Sequence, residues 1–91
     1  MILEYFTAPW CAPCKTMLPM IEDVCKEAGI EIRLWDYSNE YGKHMIENKN
    51  ILSFPSMILN DGGGYFVTTE TKRHTGAMGR GDFERWIKGE E

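Results

Sequence analysis

The sequence predicts an α/β domain: a four-stranded mixed sheet with three helices on both faces, in the order β-α-β-α-β-β-α. Three observations carry this expectation. Short runs rich in β-branched and aromatic residues alternate with segments whose apolar residues recur every three or four positions. The first two runs flank one such helical segment, the pattern of a parallel βαβ unit. The third and fourth are joined only by Asn60-Asp61-Gly62-Gly63-Gly64, a strong turn signal between antiparallel neighbours.

Each element has its own justification. Ile2 to Thr7 (ILEYFT) is a nearly continuous apolar run and reads as a buried strand. A helix should start near Cys11 to Pro13, because proline is tolerated in a first turn where its missing N–H would have no partner. Met17, Leu18, Ile21, Val24, Cys25 and Ala28 form its apolar face, and Gly29 supplies the stop. Pro19 is expected to kink this helix. Ile30 to Tyr37 alternates as a second strand, with Ile30, Ile32 and Leu34 on one face and Glu31, Arg33 and Trp35 on the other.

Ser38 is expected to cap a short helix through about Asn48, with Tyr41, Met45 and Ile46 inward. Ile51 to Pro55 reads as a loop leading to a third strand, Ser56 to Leu59. The fourth strand is expected to begin at Tyr65-Phe66-Val67-Thr68, and its end is left open by the polar run to Thr75. Three glycines between Gly76 and Gly81 precede a last helix, Phe83 to Lys88, capped by Asp82 with Phe83, Trp86 and Ile87 inward.

Composition narrows the function. The 91 residues are expected to form one domain, 1–91, with 43% apolar residues and a net charge of −4. No basic block exists, so neither nucleic acid nor an anionic membrane is an expected partner. The N-terminal run lacks a signal peptide's basic and apolar regions, and no segment approaches the roughly 18 apolar residues of a membrane span. Three cysteines, of which only two are close, do not make a disulfide scaffold. A cytoplasmic monomer is expected.

Trp10-Cys11-Ala12-Pro13-Cys14-Lys15 carries the chemistry. A thiolate attacks a disulfide, and Cys11 falls where a strand gives way to a helix, whose N-terminal N–H groups and dipole favour negative charge. Cys14 sits one turn deeper. Cys11 is therefore expected as nucleophile and Cys14 as resolving thiol. The rival reading is half a metal site. Structural zinc takes about four ligands, and only Cys25, His44 and His74 remain as soft or borderline donors, so no metal is expected. Cys25 reads as a buried apolar residue.

These residues resemble the thioredoxin-fold superfamily over nearly the whole chain, in a minimal, glutaredoxin-sized form. Trp10 to Lys15 is similar to the thioredoxin active-site signature, Pro19 to the family's helix-kinking proline, Phe54-Pro55-Ser56 to its cis-proline segment, and Thr75-Gly76-Ala77 to the glycine-containing turn before the last helix. The resemblance implies a docking surface made by Trp10, Ala12, Pro13, Phe54, Pro55 and Gly76. Pro55 would be cis and face the cysteines, Phe54 would offer its backbone to an extended substrate, and Gly76 would admit a partner chain.

The departures matter. Only ten residues precede Cys11, as in glutaredoxins. The buried acid of thioredoxins is replaced by Tyr5, while Glu4 should point to the other face. The glutathione-binding lysine of glutaredoxins is replaced by Ala8, and Gly79-Arg80-Gly81-Asp82 is a poor match to their last helix start. The segment from Pro55 to Gly76 is longer than in thioredoxins, consistent with an extended hairpin.

The resemblance implies a thiol-disulfide oxidoreductase that reduces protein disulfides, including those of ribonucleotide reductase, with no cofactor beyond a Cys11–Cys14 redox disulfide. Its reductant would be a flavoprotein thioredoxin reductase, or glutathione if the chain is a glutaredoxin. A third reading is a non-catalytic binding module on the same scaffold.

Overall fold

The computed structural model describes residues 1–61 and 69–89. The elements follow the expected order: β1 (Ile2–Thr7), α1 (Ala12–Ala28), β2 (Glu31–Asp36), α2 (Glu40–Asn48), β3 (Ser56–Asn60), β4 (Glu70–Thr75) and α3 (Arg80–Lys88). They build one mixed sheet in the order β2-β1-β3-β4. β1 runs parallel to β2, with Ile2 opposite Glu31 and Thr7 opposite Asp36. It runs antiparallel to β3, from Ile2 opposite Asn60 to Phe6 opposite Ser56. β3 pairs antiparallel with β4, with a register shift at Leu59/Asn60.

β1 is buried on both faces, which is why its sequence is a continuous apolar run rather than an alternation. Leu3 and Tyr5 face α1 and α3, in a core shared with Cys14, Met17, Ile21, Phe83 and Trp86. Phe6 faces α2, in a second cluster with Ile46 and Ile58. β4 is an edge strand, and Glu70, Thr71, Arg73 and Thr75 on it are exposed. Charged side chains on an edge discourage pairing with another chain, which explains why the polar run after Thr69 is strand. The expected strand start at Tyr65 to Thr68 and the turn at Gly62 to Gly64 lie outside the described residues. Asp61 N–H donates to Thr69 O at 3.1 Å, closing the described end of the β3–β4 pair.

α1 continues from Ala12 to Ala28 through Pro19. Pro19 and Lys15 are both exposed, so the Lys15 carbonyl deprived of its helical partner faces solvent. Gly29 ends the helix in the left-handed region at φ 70°. Ala28, expected on the apolar face, is exposed.

Four other expectations need correction. Leu34 is 48% exposed, because β2 is an edge strand and the helical layer does not cover its outer end. Asn39, not Ser38, caps α2: its Oδ1 accepts from Tyr41 N at 2.9 Å and Gly42 N at 3.2 Å, while Ser38 Oγ donates to Asp36 Oδ1. Tyr41 points outward, with its ring beside Trp35, and Gly42 takes the inward position. A Cβ on Gly42 would lie 2.2 Å from the Asp36 carbonyl oxygen, so only glycine lets α2 sit this close to the end of β2. Asp82 does not cap α3; Gly79 holds that position without a side-chain bond, and Asp82 in the first turn pairs with Arg85.

Glu4 is the polar exception on β1. Alternation turns it away from Tyr5, onto the α2 side. It is buried, accepts from the Trp35 indole N–H at 2.8 Å, and accepts from the Asn60 side-chain amide. One carboxylate thus ties β1 to both flanking strands.

Two predictions follow from these contacts. Glu4→Ala leaves the buried Asn60 amide and the part-buried Trp35 indole N–H unpaired and should cost about 2–4 kcal/mol in chemical denaturation. Gly42→Ala forces α2 off the sheet and should cost about 1–3 kcal/mol; unchanged stability would mean α2 can shift freely.

Candidate active site

The site forms where β1 hands over to α1. Thr7 ends the strand, its carbonyl accepting from Tyr37 N at 3.0 Å, and Ala8 O then accepts from Cys11 N at 3.0 Å. This turn delivers Cys11 to the N-cap of α1, where its Sγ accepts from Cys14 N at 3.2 Å. Cys11 and Cys14 are joined by a disulfide, with Sγ atoms 2.14 Å and Cα atoms 5.3 Å apart. Cys11 is 6% exposed and Cys14 fully buried, so the sulfur nearer solvent is that of Cys11. No acidic residue lies in the first turn of α1, so the positive end of the helix dipole is not offset locally.

The other residues singled out in the sequence gather at the same end of the sheet. Trp10 is 67% exposed, its ring edge-on to Tyr37 at 5.2 Å and to Phe54 at 6.2 Å. Phe54 packs against the core cluster that contains both cysteines, and the Phe54–Pro55 bond is cis. Pro55 O accepts from Gly76 N at 2.8 Å, which joins the two loops, and Gly76 adopts a φ of 106° that side chains disfavour. Ala12 and Pro13 lie exposed in the first turn of α1.

Sequence reasoning missed two residues. Tyr37 completes the aromatic group, with Lys43 Nζ 5.4 Å from its ring centre. The available signal was the parallel pairing of β1 with β2, which brings the ends of both strands together. Tyr5 was noted only for what it replaces. It is fully buried, and its hydroxyl donates to Cys14 O at 2.7 Å. Among the described residues no three His, Cys, Asp or Glu side chains converge as a metal site. A cleft of about 640 Å³ between β4 and α3, lined by His74, Met78, Arg85 and Trp86 among others, contains neither cysteine.

The thioredoxin family model matches residues 1–89. The chain belongs to the thioredoxin family. Similar proteins include the bifunctional thioredoxin reductase/thioredoxin of Mycobacterium leprae, 30% identical over 79 residues, which are 87% of this chain and 16% of that one. The thioredoxin of Bacillus subtilis is 29% identical over 62 residues, covering 67% of this chain and 60% of that one. The chain thus spans less than two thirds of either relative. The solved structure of thioredoxin 1 from Thermosipho africanus superposes with a TM-score of 0.81 at 26% identity, covering 98% of this chain and 92% of that one. The close cysteine pair at the head of α1 thus sits in a domain of this family. No helix among the described residues is long and apolar enough to cross a membrane.

Two buried acids, Tyr5 beside the site and Cys25 near the far end of α1, set an alkaline limit to the stability of the fold. Burial pushes the Cys25 thiol up to about 11 and the Tyr5 phenol up to about 12. Each therefore holds its proton more tightly folded than unfolded, so its stabilisation is complete at neutral pH and lost as pH rises through the raised value. Starting from ordinary values of 9.0 and 10.0, the loss should begin near pH 9 and continue to about pH 12. Denaturation midpoints measured across that window should fall steadily; a flat profile would contradict the assignment.

Proposed function

We propose that the protein is a thioredoxin-type protein-disulfide reductase that works through Cys11 as nucleophile and Cys14 as resolving thiol. The observation that carries the reading is the Cys11–Cys14 disulfide at the N-cap of α1, with its less buried sulfur on the outer residue. In the reduced protein the Cys11 thiolate attacks one sulfur of a target disulfide, forming a mixed disulfide and releasing the other sulfur as a thiolate. Cys14 then attacks Cys11, the internal disulfide forms, and the second target sulfur leaves. The dithiol gives up two electrons and two protons, and the target gains both. Helix N–H groups favour the attacking thiolate.

The docking surface of this reading is Trp10, Ala12, Pro13, Phe54, Pro55 and Gly76, joined by Tyr37. Trp10 supplies an exposed aromatic wall. The Phe54 backbone pairs with an extended segment of the target, and Gly76 lets that segment approach closely. Target proteins, ribonucleotide reductase among them, would be met by a cytoplasmic monomer that needs no bound cofactor. A flavoprotein thioredoxin reductase serves as electron donor, a choice supported by the Mycobacterium leprae relative, whose name couples that reductase to a thioredoxin. Ala8 in place of the glutathione-binding lysine argues in the same direction.

With NADPH and a bacterial thioredoxin reductase, the oxidised protein should be turned over and should reduce insulin disulfides. Cys11→Ser should abolish this activity, and Cys14→Ser should accumulate a mixed disulfide visible by mass spectrometry. Regeneration by glutathione alone would replace thioredoxin reductase with glutathione as donor, and full function in the Cys11→Ser variant would point to a non-catalytic module.

A further inference from the structure

We propose that Tyr5 is a positioning residue for the resolving step. The inference rests on the redox cycle proposed above and assigns a role to a group that this cycle does not use. Tyr5 sits on β1, the strand held on both sides by ladder hydrogen bonds, and its ring is fully buried among core residues that include Cys14. Its hydroxyl reaches out of that rigid strand to the Cys14 carbonyl at 2.7 Å. At the other end of the same residue, Cys14 N–H points to Cys11 Sγ at 3.2 Å. The Cys14 backbone is thus fixed at both its donor and its acceptor.

The two ties differ in when they hold. The N–H tie depends on Cys11 Sγ, the atom whose bonding partner changes at every step of the cycle. The Tyr5 tie depends on no sulfur. Once a target is attached to Cys11, Tyr5 still holds the first turn of α1 where it was. The resolving step makes one S–S bond between Cys14 and Cys11 and breaks the one between Cys11 and the target, which departs as a thiolate and takes up the proton given up by Cys14. That step needs the Cys14 sulfur to stay close to Cys11 and in line with the departing one, the placement for which a fixed backbone is suited. First attack by Cys11 on a target places no such demand on Cys14.

Tyr5→Phe removes the oxygen and keeps the ring. Reduced protein is mixed with a model peptide disulfide, quenched with acid at intervals, and the protein–peptide mixed disulfide is counted by mass spectrometry. The expected result is unchanged formation of the mixed disulfide and decay slowed roughly three- to tenfold, the rate equivalent of one net hydrogen bond. Met57→Leu, a volume-conserving change at the residue paired with Tyr5 across β1 and β3, should leave both rates as they are. Equal slowing in both variants would make the effect one of packing and overturn the proposal, as would wild-type decay in Tyr5→Phe. In the unaltered protein, NMR should find a slowly exchanging Tyr5 hydroxyl proton near Lys15 in both redox states. Its absence would overturn the proposal even if the variant failed to fold. Failure of the unaltered protein to form any mixed disulfide would instead refute the redox cycle itself.

Discussion

At the head of α1 a helical N–H is met by sulfur where an oxygen usually serves. The first turn of any helix presents donors without intrahelical partners, and here the Cys14 N–H finds Cys11 Sγ. The atom that caps the helix is therefore also one of the two sulfurs of the disulfide. This double use requires a strand ending at Thr7, a turn closed by Ala8 and Cys11, and a helix that begins at once. The near-continuous apolar run of β1 and the placement of Pro13 inside the first turn are the sequence conditions for it.

β1 carries this junction and also separates the molecule into two halves. Leu3 and Tyr5 look toward the redox helix, and Glu4 and Phe6 look away from it. The two faces solve different problems. On the first, Leu3 and Tyr5 pack into an apolar core, and the Tyr5 hydroxyl is spent on Cys14. The second contains a carboxylate that holds Trp35 and Asn60, so the flanking strands are fixed to β1 by side chains as well as by the ladder. Perturbing either face reaches the cysteines through the same strand.

Much of this was legible in the residues. The strand runs, the periodic face of α1, the parallel βαβ unit and the inward trio of α3 all appear in the pattern of apolar residues. The parallel pairing of β1 with β2 followed from chain connectivity, whereas the central place of β1 comes from its pairing with β3. What was missed shares one cause: partners chosen by tertiary neighbours. Tyr41 counts as apolar in a periodicity, yet its ring lies sideways on Trp35, while Gly42 has no side chain to count and is the residue that must be inward. Asn39 and Ser38 are equally good caps on paper, and Asp36 decides between them by occupying Ser38. At the site, motif spacing picked out the cysteines, and the family resemblance added Trp10, Phe54, Pro55 and Gly76, whereas Tyr37 becomes their neighbour only through the pairing of Thr7 with Asp36.

The central place of β1 also bears on the order in which the chain is made. This strand is synthesised before its partners, and its antiparallel partner ends at Asn60, which pairs with Ile2 across a long stretch of chain. A ribosome therefore extrudes the cysteine motif well before the strand behind it can be sheltered, and the βαβ unit must wait with one edge of β1 open. Contacts so distant in sequence are slow to form. The nascent chain thus passes through a period in which Cys11 and Cys14 are not yet positioned by the fold, so the reducing or oxidising character of its surroundings bears on them before the sheet is complete.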